Sequence, residues 1–314
     1  MRKLIPRDTI IRIVKDQGFG PVGFINRQDA TFGNWIENWL HKGYHAEMKW
    51  MERHRTIREA PCFIEPYSES IITMAYPYFT KTPELWKNRN PISNYAWGED
   101  YHQVLKSKIR NILTEIGALD PKFKGRGFVD SAPIPEKVTA AASGLGWIGK
   151  NSMLINRRLG SYLFLAEIVC NIPFRSTSSV RKRCGKCTKC IDACPTNAIT
   201  NGAMVDSNKC ISYLTIEKKD PFTLAEKSGI DYQLFGCDIC QQVCPWNRGE
   251  REFSNSPFRC FDRWLDLDPD RINLLTECEF DLLKQKSPIK RIRLQQFKRN
   301  ANAVLKTGGT RSFD

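Results

Sequence analysis

Histidine is scarce in this chain. Only His41, His45, His54 and His102 occur, and no HExxH pair is present, which excludes the common metallopeptidase helix. His41 and His45 stand four apart, but without the glutamate and among Trp, Tyr and Met neighbours, they read as packed or surface residues. No GxGxxG opens a helix after the first strand pattern, and there is neither a GxSxG elbow nor a P-loop lysine motif. Dinucleotide-binding, serine-hydrolase and P-loop readings therefore have no support. Long apolar runs are also missing. The uncharged stretch 138–149 is twelve residues, whereas a membrane span takes about 20. Arg7, Asp8, Arg12 and Lys15 interrupt the N-terminal segment where a signal peptide needs continuous apolar character. A cytoplasmic protein with reduced thiols is expected. Acids are outnumbered 34 to 48 by Lys and Arg, for a net charge of +14. Between Lys284 and Arg311 nine basic residues occur and no acid, a distribution that favours polyanionic partners, nucleic acid first.

What is present begins with an ordinary globular composition: 41% hydrophobic, 11% aromatic and 26% charged over 314 residues, enough for two domains. Residues 8–17 read as a short helix, 21–25 as a strand, and 35–51 as a helix or helix pair. Residues 71–76 form a compact apolar run that stops at Pro77, as a buried strand does. Residues 101–117 carry Val104, Leu105, Ile109, Ile112, Leu113 and Ile116 at helical spacing. Residues 123–129 read as a further strand, and 152–156 and 161–170 as two strands joined through 157–160. Such alternation predicts an α/β domain over 1–173. From 174 to 250 apolar periodicity fades, and Cys, Gly, Pro and Lys become dense. Short helical patterns return over 251–314, where Ser287-Pro288 reads as a helix start and Leu294, Phe297, Ala301 and Val304 as one face.

The chain holds twelve cysteines, and their spacing is the strongest signal in it. Cys184-x2-Cys187-x2-Cys190-x3-Cys194-Pro195 has the spacing of a bacterial two-cluster ferredoxin run, whose fourth cysteine ligates the other cluster. Cys237-x2-Cys240-x3-Cys244-Pro245 is a second run with three of the four expected thiols. Cys210, separated from Cys237 by 26 residues, completes the count as a displaced first ligand. Crossed ligation then groups Cys184, Cys187, Cys190 and Cys244 on one [4Fe–4S] cluster and Cys194, Cys210, Cys237 and Cys240 on the other. Zinc sites use paired ligands rather than three cysteines at successive two-residue spacings. Cys62, Cys170, Cys260 and Cys278 remain, and read as small buried apolar residues. Two adjacent clusters make an electron wire, so the α/β domain must use the electrons.

Phe128-Val-Asp-Ser-Ala-Pro133 and Gly144-Leu-Gly-Trp-Ile-Gly-Lys-Asn151, taken with the cysteine pattern, resemble the epoxyqueuosine reductases. Asp100-Tyr-His102, Cys210-Ile-Ser-Tyr-Leu-Thr-Ile-Glu217 and Gly236-Cys-Asp-Ile-Cys-Gln-Gln-Val-Cys-Pro-Trp-Asn247 extend the resemblance to about residues 5–305. It implies a reductive-dehalogenase-like α/β cobalamin-binding domain, a two-[4Fe–4S] ferredoxin-like domain and a short helical C-terminal segment. The activity it implies is reduction of the epoxide of epoxyqueuosine in tRNA to queuosine, the last step of queuosine biosynthesis. Cobalamin and two [4Fe–4S] clusters would be the cofactors, a low-potential electron donor and a queuosine-type tRNA anticodon stem-loop the partners, and a monomer the working form.

By that resemblance Asp130 matches the catalytic acid. On the residues alone it reads as an Asx-turn or cap at a strand end. A carboxyl acting as acid near neutrality would need burial. Candidate cobalamin contacts are Arg53, Ser93, Asp130, Lys150, Asn151, Ser161 and Ser212. No Asp-x-His-x-x-Gly motif is present, so a histidine lower ligand is not indicated; the resemblance implies a base-off cofactor. Gly144, Gly146 and Gly149 would let backbone approach a corrin closely, or simply form a tight loop. Longer family members continue past a segment like Lys298-Arg-Asn-Ala301 into HEAT-like repeats, whereas this sequence ends at Asp314. The resemblance therefore places tRNA contact on the core and on Lys290, Arg291, Arg293, Lys298 and Arg299. Two other readings stand beside it: a cobalamin and iron–sulfur reductase of a small molecule, and a ferredoxin-type electron carrier.

Overall fold

The computed structural model describes residues 5–33, 35–86, 91–200, 204–248 and 256–306. The chain forms two compact units. The first takes residues 1–42, 49–77 and 102–187; the second takes 43–48, 78–101 and 188–314. Composition divides the chain into three segments, but the cysteine-rich and C-terminal segments fall largely within one unit.

The first unit contains α1 (Arg7–Asp16), β1 (Val22–Asn26), α2 (Glu37–His41), α3 (Arg55–Glu59), β2 (Ser70–Pro77), α4 (Tyr101–Leu119), β3 (Gly125–Phe128), α5 (Glu136–Ala142), β4 (Trp147–Ile148), β5 (Leu154–Ile155) and β6 (Leu163–Cys170). Its main sheet has the order β1-β2-β6-β3, with every pair antiparallel. Register runs from Ser70 opposite Cys170 to Pro77 opposite Leu163, and Phe128 of β3 faces Glu167 of β6. All eight residues of β6 are buried, which is why the segment reads as an apolar run rather than an alternating one. α4 buries Leu105, Ile109, Ile112 and Ile116, the stripe its spacing predicts.

Three local expectations differ from the structure. The segment 35–51 yields only the five-residue α2 and a 3₁₀ turn at Lys49–Met51, because the chain turns through Gly43 at φ 65°. The strands near 152–156 and 161–170 do not form a hairpin. β5 pairs with β4 in a separate ribbon, while β6 enters the main sheet. The turn between them closes on itself: Asn156 N–H donates to Gly160 O at 2.8 Å, and the Asn156 Oδ1 takes Arg158 N–H at 2.9 Å. Third, α5 has no counterpart in the sequence reading.

The second unit contains α6 (Lys189–Asp192), α7 (Ile211–Ile216), α8 (Leu224–Ile230), α9 (Ile239–Gln242), α10 (Pro269–Leu274), α11 (Glu277–Leu283) and α12 (Leu294–Lys306). Trp97, Phe235, Trp264, Phe280 and Phe297 are fully buried together, with Leu294 and Ala301 of α12 among them. Trp264 Nε1 donates to Trp97 O at 3.0 Å, satisfying the indole inside this core. The Ser287 Oγ accepts from Ile289 N–H, but what it starts is a 3₁₀ turn over Pro288–Arg291, and α12 follows. Among the leftover cysteines, Cys62 and Cys170 are buried as expected and Cys260 is half-buried. Cys278 is exposed, because α11 turns Phe280 rather than Cys278 inward.

Gly23 of β1 is needed for its lack of a side chain. A Cβ there would collide with the Ser143 carbonyl oxygen and the Leu145 side chain, just past α5. Ser143 is also tied to β2 through the Thr73 hydroxyl. Gly23→Ala should therefore push the end of α5 off the sheet and cost about 1–3 kcal/mol, the usual range for overpacking. Thermal unfolding should show a clearly lowered midpoint; an unchanged midpoint contradicts this packing.

Candidate active site

β3 ends at Phe128, and the chain turns immediately. Val129 is fully buried, while Asp130 adopts φ 54° in the left-handed region and leaves its side chain 58% exposed. That backbone conformation costs about 1–2 kcal/mol for most residues, and Asp is among those that tolerate it. Ser131 N–H donates to Val129 O at 2.6 Å, tightening the turn. Across the loop, the Asp130 N–H donates to Glu136 Oε1 at 2.5 Å. Glu136 is the first residue of α5, so the loop closes onto a regular element. The Asp130 carboxylate points to the first turn of α4, where its Oδ2 lies 3.3 Å from His102 Nε2. The sequence expectation of a buried acid does not hold for Asp130 itself.

The buried acids lie beside it. Glu167, in the middle of β6, has 0% exposure, and neither carboxyl oxygen has a partner at hydrogen-bond geometry among the described residues. The Glu136 carboxyl is its closest chemical neighbour, near enough for each to perturb the other, though not aligned as a full hydrogen bond. Burial raises Glu136 to about 8, the Asp130 charge adds to this, and the Asp130 N–H offsets part of it. Burial likewise pushes Glu167 well above the ordinary carboxylate range, and the Glu136 charge pushes further. The sequence reading missed both glutamates. One signal was available: Glu167 is the only charged residue between Arg158 and Arg175.

In the second unit α6 carries Cys190 and α9 carries Cys240, and the two helices pack together. Cys210 caps α7, and its thiol acts on both Cys237 and Cys240, while Cys190 and Cys194 also act on Cys240. Five thiols from distant parts of the sequence are thus gathered. None of the twelve cysteines is in a disulfide, which leaves their sulfurs available as the thiolate donors iron–sulfur clusters use. Ala198 N–H donates to Cys194 Sγ at 3.3 Å, a bond that orients that sulfur. Among the described residues no three Cys, His, Asp or Glu side chains converge on a single ion. Cys184 and Cys187 belong to the first unit, where Lys150 Nζ donates to Cys187 O at 2.9 Å.

The other proposed cofactor contacts are spread over both units. Arg53 is exposed, and its carbonyl accepts from the buried Arg58, a guanidinium the sequence reading did not single out. Asn151 and Ser161 are buried in the first unit. Ser93 is buried in the second and donates to Asp238 Oδ1 at 2.8 Å. Beside it Thr80 Oγ1 and Asn94 Oδ1 are buried with no hydrogen-bond partner among the described residues, so this spot suits a ligand rich in amide groups, as a corrin is. Ser212 is half-buried in α7. The glycine trio is explained by the chain alone: a Cβ on Gly146 would strike Ile155 O, and one on Gly149 would lie 2.5 Å from Ile155 Cδ1.

Of the five basic candidates, three are engaged within the protein. Lys290 Nζ lies 2.5 Å from Asp100 Oδ2, a carboxyl only 1% exposed. Arg291 forms a two-pronged pair with Glu217, both contacts at 3.0 Å. Arg299 donates to the carbonyls of Lys218, Asp220 and Leu214 and stacks over Phe222, with burial lowering its pKa to about 10. Arg293 is exposed and Lys298 half-buried. Arg311 lies outside the described residues.

Known proteins resemble this chain over most of its length. The family model described as "Epoxyqueuosine reductase QueG, DUF1730" matches residues 58–131, and the "4Fe-4S double cluster binding domain" model matches 183–247. An epoxyqueuosine reductase of Leadbetterella byssophila is 41% identical over 271 residues, covering 84% of this chain and 86% of its own length. A crystal structure of epoxyqueuosine reductase with an epoxyqueuosine-modified tRNA-Tyr stem loop superposes with a TM-score of 0.87 at 26% identity, over 96% of this chain and 81% of that one. A Bacillus subtilis epoxyqueuosine reductase with its catalytic loop swung out of the active site superposes equally well, at 0.87 and 26% over the same shares. The chain belongs to the epoxyqueuosine reductase family.

Proposed function

We propose that this chain reduces the epoxide of epoxyqueuosine in tRNA to the alkene of queuosine, with cobalamin and two [4Fe–4S] clusters as its cofactors. The observation that carries the reading is Asp130. Within a family likeness covering 84% of the chain, it is an exposed carboxyl held at its backbone by Glu136 and faced by His102. An anticodon stem-loop as substrate, a low-potential cytosolic electron donor and a monomeric working form belong to the same proposal.

The overall step takes an epoxide, two electrons and two protons to an alkene and water. Cobalamin, when bound, supplies a low-valent cobalt able to attack an epoxide carbon. The chain's residues supply the rest. As the C–O bond breaks, the oxygen becomes a poor leaving group unless it is protonated, and Asp130 holds a proton at Oδ2 for it. The carboxyl is exposed, so a substrate reaches it without unfolding the loop, and the His102 contact restricts its rotation. Asn151, Ser161 and Ser93, with the Arg53 and Ser212 segments, are proposed to bind the cofactor's polar periphery. Lys150 positions the turn that carries Cys187. The ligand sets are those read from the spacing, and Arg293 and Lys298 are proposed as the phosphate contacts.

Asp130→Asn keeps the shape of the side chain and removes its acidic proton. Iron and cobalt contents should match the parent protein, while turnover per cobalt falls by about 10²–10⁴-fold. Parental turnover per cobalt in that variant ends the assignment. For the clusters, Cys210→Ala should remove about half of the iron, as Cys194→Ala should, because each belongs to a four-thiolate set. A full iron complement would show that Cys210 is not a ligand.

The tRNA surface is best tested with the two cations least committed to the fold. Arg293→Ala with Lys298→Ala should weaken stem-loop binding and flatten the slope of log affinity against log salt by about 1–2. Neutralising Lys290, Arg291 and Arg299 should instead lower the thermal midpoint, since Lys290→Ala alone removes the cation 2.5 Å from the buried Asp100 carboxylate. An unchanged salt slope in the first variant would make Arg293 and Lys298 simple solvated charges.

A further inference from the structure

Glu136 takes no part in the scheme above, yet it has the shortest contact to the Asp130 backbone. Asp130 sits at φ 54°, and a residue held in the left-handed region needs its surroundings to keep it there. The Glu136 oxygen meets the Asp130 N–H from across the loop, six residues on, and Glu136 itself starts a helix anchored on the sheet through Ser143 and Thr73. The groups facing the Glu136 carboxyl are Asp130 from the loop, His102 from α4 and Glu167 from β6. Of these Glu167 is fully buried and opposite Phe128, the last residue before the loop.

We propose that Glu136 is the positioning residue of this active site: its carboxyl oxygen clamps the Asp130 amide and holds the 129–135 loop in the conformation that aims the Asp130 carboxyl at His102. This rests on Asp130 being the proton donor. Glu167 limits where the Glu136 carboxyl goes, since two carboxyls in one dry pocket repel when both are charged and favour one shared proton. The clamp itself needs an acceptor oxygen and not a charge. Glutamine therefore preserves it, and its amide also offers Glu167 a donor. The Bacillus subtilis relative with its catalytic loop swung out of the active site shows that in that protein the loop has more than one placement.

The test uses Glu136→Ala and Glu136→Gln in the full chain with its cofactors, read by hydrogen–deuterium exchange over 129–135, iron and cobalt content, stem-loop affinity, and turnover per cobalt. In Glu136→Ala the segment should exchange at least about tenfold faster, because its amide has lost a hydrogen bond. Turnover per cobalt should fall by about 10–100-fold, the scale of a misplaced catalytic group. Metal contents and stem-loop affinity should hold within about twofold, since the clamp touches neither. Glu136→Gln should restore slow exchange and most of the turnover. It should also change the pH dependence of stability in a defined direction. Glu136 is raised from 4.5 to about 8, so its contribution is full below the lower value and is lost as pH rises through the upper one. The glutamine variant should lack that decline. Fast turnover and slow exchange in Glu136→Ala would overturn the clamp, as would a glutamine variant that keeps slow exchange but is as inactive as the alanine one. Failure of the Asp130 assignment is separable, because it appears as an active Asp130→Asn whatever Glu136 does.

Discussion

A carboxyl buried at the centre of a sheet is expensive unless it stays neutral or finds a partner, and Glu167 meets that constraint in the middle of β6. Its strand neighbours, Ala166, Ile168, Phe128 and Thr73, supply no cation. What approaches it is a second carboxyl, Glu136, and the two share one pocket at the start of α5. The Glu136 Oε1 receives the Asp130 amide, closing the loop after β3 onto the start of α5. An exposed carboxyl on a left-handed turn follows, pointed at His102. The exposed acid of this loop is thus held at its backbone by the Glu136 carboxyl.

The two units divide the chemistry by residue type. The first is an antiparallel sheet with helices, and its third strand ends two residues before Asp130, the proposed acid. The second gathers thiols on short helices and packs an aromatic core of Trp86, Trp97, Phe235, Trp264, Phe280 and Phe297. Its basic residues serve that core first. Arg299 ties α12 to the α7 region, Arg291 pairs with Glu217, and Lys290 neutralises Asp100. Of the nine basic residues between Lys284 and Arg311, Lys284, Lys290, Arg291 and Arg299 are engaged within the protein.

Much of this was legible beforehand, for physical reasons that differ by element. β2, β6 and α4 announce themselves because burial forces apolar periodicity on them. The cysteine runs are legible because ligand spacing is local, and Cys210 followed from counting. β5 was assigned to the wrong partner, since pairing depends on where Gly146 lets two backbones meet, which no window of sequence shows. α5 is too short and too rich in alanine to carry a stripe. Glu136 and Glu167 are separated by 31 positions, and only the register of β3 on β6 brings the second beneath the loop of the first. The partners of Lys290, Arg291 and Arg299 were illegible for the same reason: they lie elsewhere in the chain.

The reaction assigned to this chain removes an epoxide oxygen with two electrons and two protons. The most direct measurement incubates the anaerobically reconstituted protein, with iron and cobalt quantified, with an epoxyqueuosine-modified stem-loop and a chemical reductant. The nucleosides are then released and weighed by mass spectrometry. The account predicts a nucleoside lighter by one oxygen atom that co-elutes with queuosine, formed in proportion to bound cobalt. Epoxyqueuosine recovered unchanged from fully loaded protein would contradict it.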